Sequence, residues 1–218
     1  MDAISRLRSL PEAFTFAGFC RLTGFSANVA AVCLRRWKTK QLIETAGDRA
    51  GIYFNKLKCP VVDSSLRIDA LLYEYPTAIL CGESVLHAAG WITQIPARLS
   101  VAVMSRPSYV SFYGFEIHAR PLSWFKKIHH AVMAADNAKI YGMRALPPSL
   151  ALVDLYADPK AWHPDIDDVD IPAERFGAVV FAGGLLNVEL PIPLQNELGI
   201  GARLQRSTVG ARSIYRPL

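Results

Sequence analysis

The chain has 218 residues and a formal net charge of +5, with 51% hydrophobic and 20% charged residues. This composition can build a packed core and excludes wholesale disorder. The longest apolar run, residues 176–186, contains three glycines and is far shorter than the roughly 20 residues that span a bilayer. Charged residues interrupt the start of the chain, so no signal peptide is recognisable. We therefore expect a cytoplasmic protein with no membrane partner.

The positive charge is concentrated at one end of the sequence. Residues 1–58 hold ten basic and four acidic side chains, whereas residues 59–218 hold 14 basic and 15 acidic ones. A basic segment joined to a near-neutral one is typical of a protein in which one domain binds a polyanion and the other domain has a different function. We predict two domains, residues 1–58 and residues 59–218.

Helix signals dominate the first 41 residues. Helices are predicted over residues 3–10, 14–23 and 27–41, with Gly24 in a left-handed turn and Ser26 as the N-cap of the third helix. In the third helix, steps of four and three residues give one apolar stripe made of Ala30, Leu34 and Trp37. The remaining positions of this helix are mainly polar or basic.

Two β-type segments follow, residues 42–45 and 52–54, around a turn that contains glycine and aspartate. The order of helix, helix, basic helix and hairpin is that of a winged helix-turn-helix, whose second motif helix enters the major groove. The hairpin would be the wing, with Arg49 at its tip.

The remainder of the chain mixes predicted helices and strands, so we predict an α/β (α+β) fold. Residues 56–65 are interpreted as a linker. Helices are predicted over residues 66–74, 84–89, 124–135, 147–156 and 194–204. Strands are predicted over residues 99–104, 138–146 and 176–182, a short strand or helix entry over 77–80, and a hairpin from 109–112 and 115–120. The acidic, proline-containing residues 158–174 are predicted to form a loop.

Two segments resemble those of the AbiEi family of antitoxins and transcriptional regulators from type IV (abortive-infection) toxin–antitoxin systems. The first carries a glycine, a serine, a hydrophobic helix and a Gln-x-Pro before a strand, here Gly82, Ser84, Leu86, Gly90, Gln94 and Pro96. The second, residues 141–154, is similar to the family's strand, proline, leucine and aspartate segment, which ends here at Asp154. The resemblance covers residues 1 to about 157 and includes the N-terminal winged helix.

This resemblance implies a regulator with two activities. The N-terminal domain would bind operator DNA and repress its own operon, and the C-terminal domain would neutralise a nucleotidyltransferase-like toxin without an enzymatic reaction. The alternative is a transcriptional regulator whose α/β body senses a ligand or forms a dimer and has no toxin partner. A toxin gene next to this one would favour the first hypothesis.

The candidate DNA-binding residues lie mainly on the third helix. Asn28, near the start of that helix, would face base edges. The basic residues that would lie nearer the phosphates are Arg35, Arg36, Lys38 and Lys40. Arg6 and Arg8 could add backbone contacts, and Arg49 could reach the minor groove. The alternative for the third helix is a solvated basic face on a small helical module.

We predict no catalytic site, no cofactor and no metal. The serine at Ser84 lacks the glycine two positions later that a hydrolase elbow requires, and we interpret it as a helix N-cap. Adjacent His129 and His130 would point about 100° apart on a helix, which rarely suits one metal. The four cysteines include no Cys-x-x-Cys pair, so we expect buried free thiols. Asp154 is expected to make a structural hydrogen bond.

Two charged segments of the body are candidate partner-binding residues. Asp165, Asp167 and Asp168 form an Asp-x-Asp pattern that could hold Mg²⁺ for nucleotidyl transfer, but no Gly-Ser dipeptide precedes it closely. A solvated acidic loop, or an acidic surface for a basic partner, is the better interpretation. The tail contains arginines and no acid, so it is either a frayed terminus or a further DNA or toxin contact, through Arg203, Arg206 and Arg212.

Overall fold

The structure, a computed structural model, describes residues 3–104, 110–133, 139–157 and 163–199. The chain is an α+β protein that divides into two units. Unit 1 contains the described residues of 1–80, 97–122 and 138–144, and unit 2 contains those of 81–96, 123–137 and 145–218. The domain boundary between residues 58 and 59 stays a prediction.

Unit 1 begins with α1 (Ala3–Ser9), β1 (Ala13–Thr15) and α2 (Phe16–Thr23). The prediction of one helix over residues 14–23 was wrong at its start, because Phe14 pairs with Tyr53 in a sheet. The Thr15 side chain then accepts a hydrogen bond from the Gly18 amide at 3.0 Å and caps α2. Phe14 and Thr15, which the sequence pattern assigns to the helix, therefore belong to the strand β1.

The basic helix α3 (Ala27–Thr39) begins at the predicted residue and ends two residues before the predicted Gln41, whose φ of 55° is left-handed. Ser26 is its N-cap, accepting from the Val29 amide, and Gly24 has the left-handed φ of 70° expected of the preceding turn. The apolar stripe is buried in a cluster with residues of α1, β1 and α2, which includes Leu7, Leu10, Phe14, Phe19, Leu34 and Trp37. Burial of this stripe fixes which side of α3 faces solvent.

The predicted hairpin is confirmed as β2 (Ile43–Thr45) and β3 (Ile52–Asn55), which are antiparallel. The first strand, β1, pairs with the other edge of β3, so the sheet has the order β1–β3–β2. Next come α4 (Ser64–Glu74) and a second sheet of β4 (Ile79–Leu80), β5 (Leu99–Val103) and β6 (Phe115–Ala119). In this sheet, β5 pairs antiparallel to β4 and parallel to β6.

Two strand predictions in unit 1 were wrong. Residues 115–120 do not form a hairpin with 109–112, because β6 runs parallel to β5 and residues 110–112 form no strand; Tyr109 lies outside the described residues. Within residues 139–146 there are isolated bridge residues instead of a strand, and one bridge joins Ile140 to Met143. Local apolar alternation could not distinguish these cases, since both depend on pairing with distant residues.

Unit 2 is largely helical, with α5 (Gly82–Ala88), α6 (Leu122–Met133), α7 (Pro148–Tyr156), α8 (Phe176–Leu186) and α9 (Ile192–Glu197). The first residue of α6, Leu122, belongs to unit 1. The predicted strand over residues 176–182 is wrong, since this segment is the helix α8, with Val179, Ala182 and Gly183 buried on one side. The predicted loop over residues 158–174 contains two 3₁₀ turns in its described part, Ile166–Asp168 and Ala173–Arg175. The predicted helix over residues 194–204 begins two residues earlier and ends at Glu197.

Ser84 is not a helix N-cap. The helix begins at Gly82, and the cap position is Cys81, whose side chain makes no capping hydrogen bond. Ser84 is buried inside the first turn. Of the cysteines, Cys81 is buried as predicted, whereas Cys20, Cys33 and Cys59 are only half-buried; all four are free thiols.

No single described helix has both the length and the apolar composition needed to cross a membrane. The helices α2 and α3 have the required length and apolar composition only when they are counted together, and the chain bends by 109° at the break between them.

Candidate nucleic-acid interface

The solvent face of α3 gathers the predicted base-reading and phosphate-binding residues. Asn28 is exposed near the N-terminus of the helix, two residues after the Ser26 cap. The predicted cations on the same helix are all exposed, namely Arg35, Arg36, Lys38 and Lys40, the last as the C-terminal cap residue. Within the part of the chain that the structure describes, none of them forms an ion pair. These charges are therefore available to an external anion.

The two arginines of α1 do not act as a pair. They are two positions apart and therefore about 200° apart around the helix. The Arg6 guanidinium carbon lies 5.0 Å from the centroid of the Phe25 ring, on the side facing α3. Arg8 is exposed and does not line this side. Of the two predicted backbone contacts, the structure brings only Arg6 next to α3.

A groove of about 890 Å³ runs between α1 and α3. Its apolar lining includes Ile4, Phe25, Val29 and Val32. Three cations also line it, Arg6, Arg36 and Lys40. Burial raises the pKa of the Cys33 thiol in this lining, and nearby Arg6 and Arg36 oppose the rise. The groove thus combines an apolar surface with positive charge along one side of α3.

Arg49 is exposed in the loop between β2 and β3, where its φ of 54° is left-handed. The loop is held by residues far away in the sequence. A Cβ on Gly47 would lie 1.8 Å from the Ser111 carbonyl oxygen, so only glycine allows this approach. The Asp48 carboxylate accepts hydrogen bonds from the Ser111 hydroxyl at 3.2 Å and the Tyr113 hydroxyl at 2.8 Å. The last bond raises the pKa of Tyr113.

Glu44 on β2 pairs with two cations of unit 1. Its carboxylate lies 3.6 Å from the Lys56 ammonium and 2.5 Å from the Arg67 guanidinium. A cation with a carboxylate partner has less charge to offer to phosphates. Lys56 is therefore less available to phosphates than the exposed cations of α3, which have no ion-pair partner in the described residues.

Sequence reasoning missed Ser111 and Tyr113, which support the Arg49 loop. They lie 63 and 65 residues from Asp48. The residue types alone carry no signal for this contact, since serine and tyrosine are common in loops of every kind. Gly47 in the turn was visible in the sequence, but a glycine marks a turn as readily as a close approach.

Three predicted partner-binding aspartates of unit 2 lie together on one short turn. Asp165, Asp167 and Asp168 are exposed, and the Asp168 amide donates to the Asp165 carbonyl oxygen at 3.0 Å. Among the described residues, no group of three or more histidine, cysteine or acidic side chains is placed to hold a metal ion. The turn presents negative charge to solvent. The predicted tail contacts at Arg203, Arg206 and Arg212 lie outside the described residues.

Asp154 makes a structural hydrogen bond, as predicted. It is 2% exposed, and its carboxylate accepts from the Trp124 indole N–H at 2.7 Å. The bond joins α7 to α6 within unit 2. A buried carboxylate with such a donor stabilises the packing of two helices.

Comparison with known proteins gives no match to this chain, either among protein-family models or among curated proteins.

Proposed function

We propose that the chain is a DNA-binding transcriptional regulator of the AbiEi antitoxin type. In this proposal, unit 1 represses the protein's own operon by binding operator DNA through a winged helix-turn-helix. The α1, α2 and α3 helices and the β1–β3–β2 sheet support it, because their order suits that motif. The proposal assigns the recognition role to α3 and the wing to the β2–β3 hairpin with Arg49.

One observation carries the DNA-binding half of the proposal. The side of α3 that contains Trp37 is buried, while the exposed positions of the helix and its cap residue carry Asn28 and the four cations, which have no acidic partner in the described residues. Side chains of this kind displace the counterions that surround DNA, which makes binding strongly salt-dependent. The alternative is a solvated basic face with no DNA partner, and the salt dependence of DNA binding distinguishes the two.

The test uses the double substitution Arg35→Ala with Arg36→Ala. The expected result is weaker binding to operator DNA from the protein's own promoter and a plot of log affinity against log salt that is shallower by about two, one unit per lost phosphate contact. The control is Lys126→Ala with Lys127→Ala, an adjacent exposed cationic pair on α6 with the same change in net charge. Fluorescence anisotropy over a salt series measures both slopes.

Two outcomes would contradict the assignment to α3. The first is an unchanged slope in the α3 variant. The second is an equal reduction in the α6 control, because net charge rather than the α3 surface would then govern binding.

The second half of the proposal is neutralisation of a nucleotidyltransferase-like toxin in the cytoplasm. It is supported by the resemblance of residues 1 to about 157 to the antitoxin family and by the exposed acidic turn at Asp165, Asp167 and Asp168, which suits a basic protein partner. No enzymatic reaction, cofactor or metal is part of this proposal. Growth of cells that express this chain with the product of the adjacent gene measures it. A toxic neighbour that the chain fails to neutralise would leave only the repressor.

A further inference from the structure

A stripe of three side chains runs along the outermost side of α3. Asn28, Val32 and Arg35 follow one another at steps of four and three residues, so they lie in line on one helix face. At 100° per residue, Val32 lies about 160° from both Ala30 and Leu34, which are buried. The stripe therefore points directly away from the core of unit 1.

Val32 lies at the rim of the groove between α1 and α3 and is not part of the buried core. Its side chain is 51% exposed, and that of Val29, the next apolar residue on the groove side, is 50% exposed. A single exposed valine is ordinary on a protein surface. This one is unusual in its position, because it lies between an amide and a guanidinium on the helix face that would contact the bases.

The order of these residues matches the chemistry of an A·T-containing major-groove edge. Adenine presents an acceptor and a donor that an asparagine amide can bind together, and thymine presents a methyl group that suits an apolar side chain. Four residues of helix rise about 6 Å, against about 3.4 Å for one base-pair step. Asn28 and Val32 are thus spaced to contact bases one or two pairs apart.

We propose that Val32 is a specificity-determining residue that packs on a thymine methyl group, next to an adenine bound by Asn28. The inference rests on the proposed DNA-binding function and adds the class of base pair that is read. Arg35 continues the stripe toward the phosphates, which accounts for affinity but carries no sequence information.

The experiment removes the methyl group from the DNA. Binding sites are first selected from a random-sequence duplex library with the full-length protein. Each thymine of the selected site is then replaced singly by deoxyuridine, which lacks only the methyl group. For the wild-type protein we expect one or two positions at which the replacement weakens binding about fourfold, the value of one buried methyl-sized group.

The protein variants show whether Val32 makes that contact. Val32→Ala should bind the thymine and deoxyuridine probes equally at the affected position. This variant is expected to fold, because Val32 is outside the core and alanine has the higher helix propensity. The matched control is Val61→Ala, a valine of unit 1 that is 82% exposed and not on α3, which should discriminate the probes as the wild type does. Asn28→Ala should lose about tenfold of the preference for adenine.

The outcomes separate the inference from the function on which it rests. If no duplex is bound above a non-specific level, the DNA-binding function and the inference both fail. If duplexes are selected but wild-type binding tolerates deoxyuridine at every position, the function stands and the thymine contact is overturned. A methyl dependence that persists in Val32→Ala also overturns it, because another residue would then make the contact.

Discussion

The side chain of Asn55 shows how one buried amide fixes the chain around it. It is fully buried, and its amide nitrogen lies 2.7 Å from the Leu7 carbonyl oxygen and 3.4 Å from that of Leu10. Its side-chain oxygen accepts from the Leu57 amide at 3.1 Å. The Leu7 carbonyl oxygen also accepts from the Leu10 amide at 3.2 Å where α1 ends, and the Asn55 amide adds a side-chain donor to it. Asn55 thus joins the end of α1 to the strand β3 behind the candidate DNA-binding helix.

Replacing Asn55 with alanine should lower the free energy of unfolding by about 1–3 kcal/mol, because its side-chain hydrogen bonds to the Leu7 and Leu10 carbonyls and the Leu57 amide would be lost. Urea denaturation followed by circular dichroism measures the change. Asn196→Ala, an exposed asparagine on α9, is the matched control and should change the value by less than about 0.5 kcal/mol. Equal effects of the two substitutions would show that the Asn55 hydrogen bonds add nothing to stability.

At the scale of the elements, α4 depends on an ionised cap. The Asp63 carboxylate accepts from the Leu66 amide at 2.9 Å and from the Ser65 hydroxyl at 2.8 Å. These bonds, the Leu66 amide first, lower the pKa of Asp63 below its ordinary value. The carboxylate therefore stabilises the folded state above its unfolded-state pKa, and this contribution is lost as the pH falls through the lowered folded-state pKa.

Asp63→Asn should therefore reduce the loss of thermal stability on acidification, because asparagine also caps helices but does not titrate. The melting temperature, measured between about pH 2 and pH 6, should fall less steeply for this variant than for the wild type. Asp69→Asn, an exposed aspartate within the same helix, makes the same change in charge away from the cap. If both substitutions reduce the pH dependence of the melting temperature equally, the Asp63 cap is not the source of that dependence.

The elements also show where sequence patterns suffice and where they fail. Periodicity and an N-cap serine located α3, since Ala30, Leu34 and Trp37 give a clear 3.6-residue repeat. The segment of α8 is apolar on every side, so it shows neither a helical nor a strand repeat, and its valines and phenylalanines favoured a strand. Its length of 11 residues was the better indicator. The parallel pairing of β6 with β5 involves residues 16 positions apart and has no local signature.

At the scale of the whole molecule, the division of charge predicted where the cations of the candidate site would be found. The exposed cations of α3 lie in the segment with the positive excess, and the exposed aspartates of the 3₁₀ turn lie in unit 2. Counting charges could not show that Glu44 pairs with Lys56 and Arg67, since the partners are up to 23 residues apart. It could not show that Ser111 and Tyr113 hold the Arg49 loop either. Both facts depend on tertiary contacts within unit 1.

The two proposed activities use charges of opposite sign in different units. Substitutions in one unit should therefore remove one activity and leave the other unchanged. Arg35→Ala with Arg36→Ala should abolish repression of an operon reporter and keep the neutralisation of the toxin. Replacing Asp165, Asp167 and Asp168 with asparagine should do the reverse, because a basic toxin would lose its complementary surface while α3 is unchanged. The control replaces three exposed glutamates of unit 2 with glutamine, Glu174, Glu189 and Glu197, and should retain both activities. Full neutralisation of the toxin by the aspartate variant would exclude the acidic turn as the toxin-binding surface. Loss of both activities in the arginine variant would mean that DNA and the toxin both bind α3.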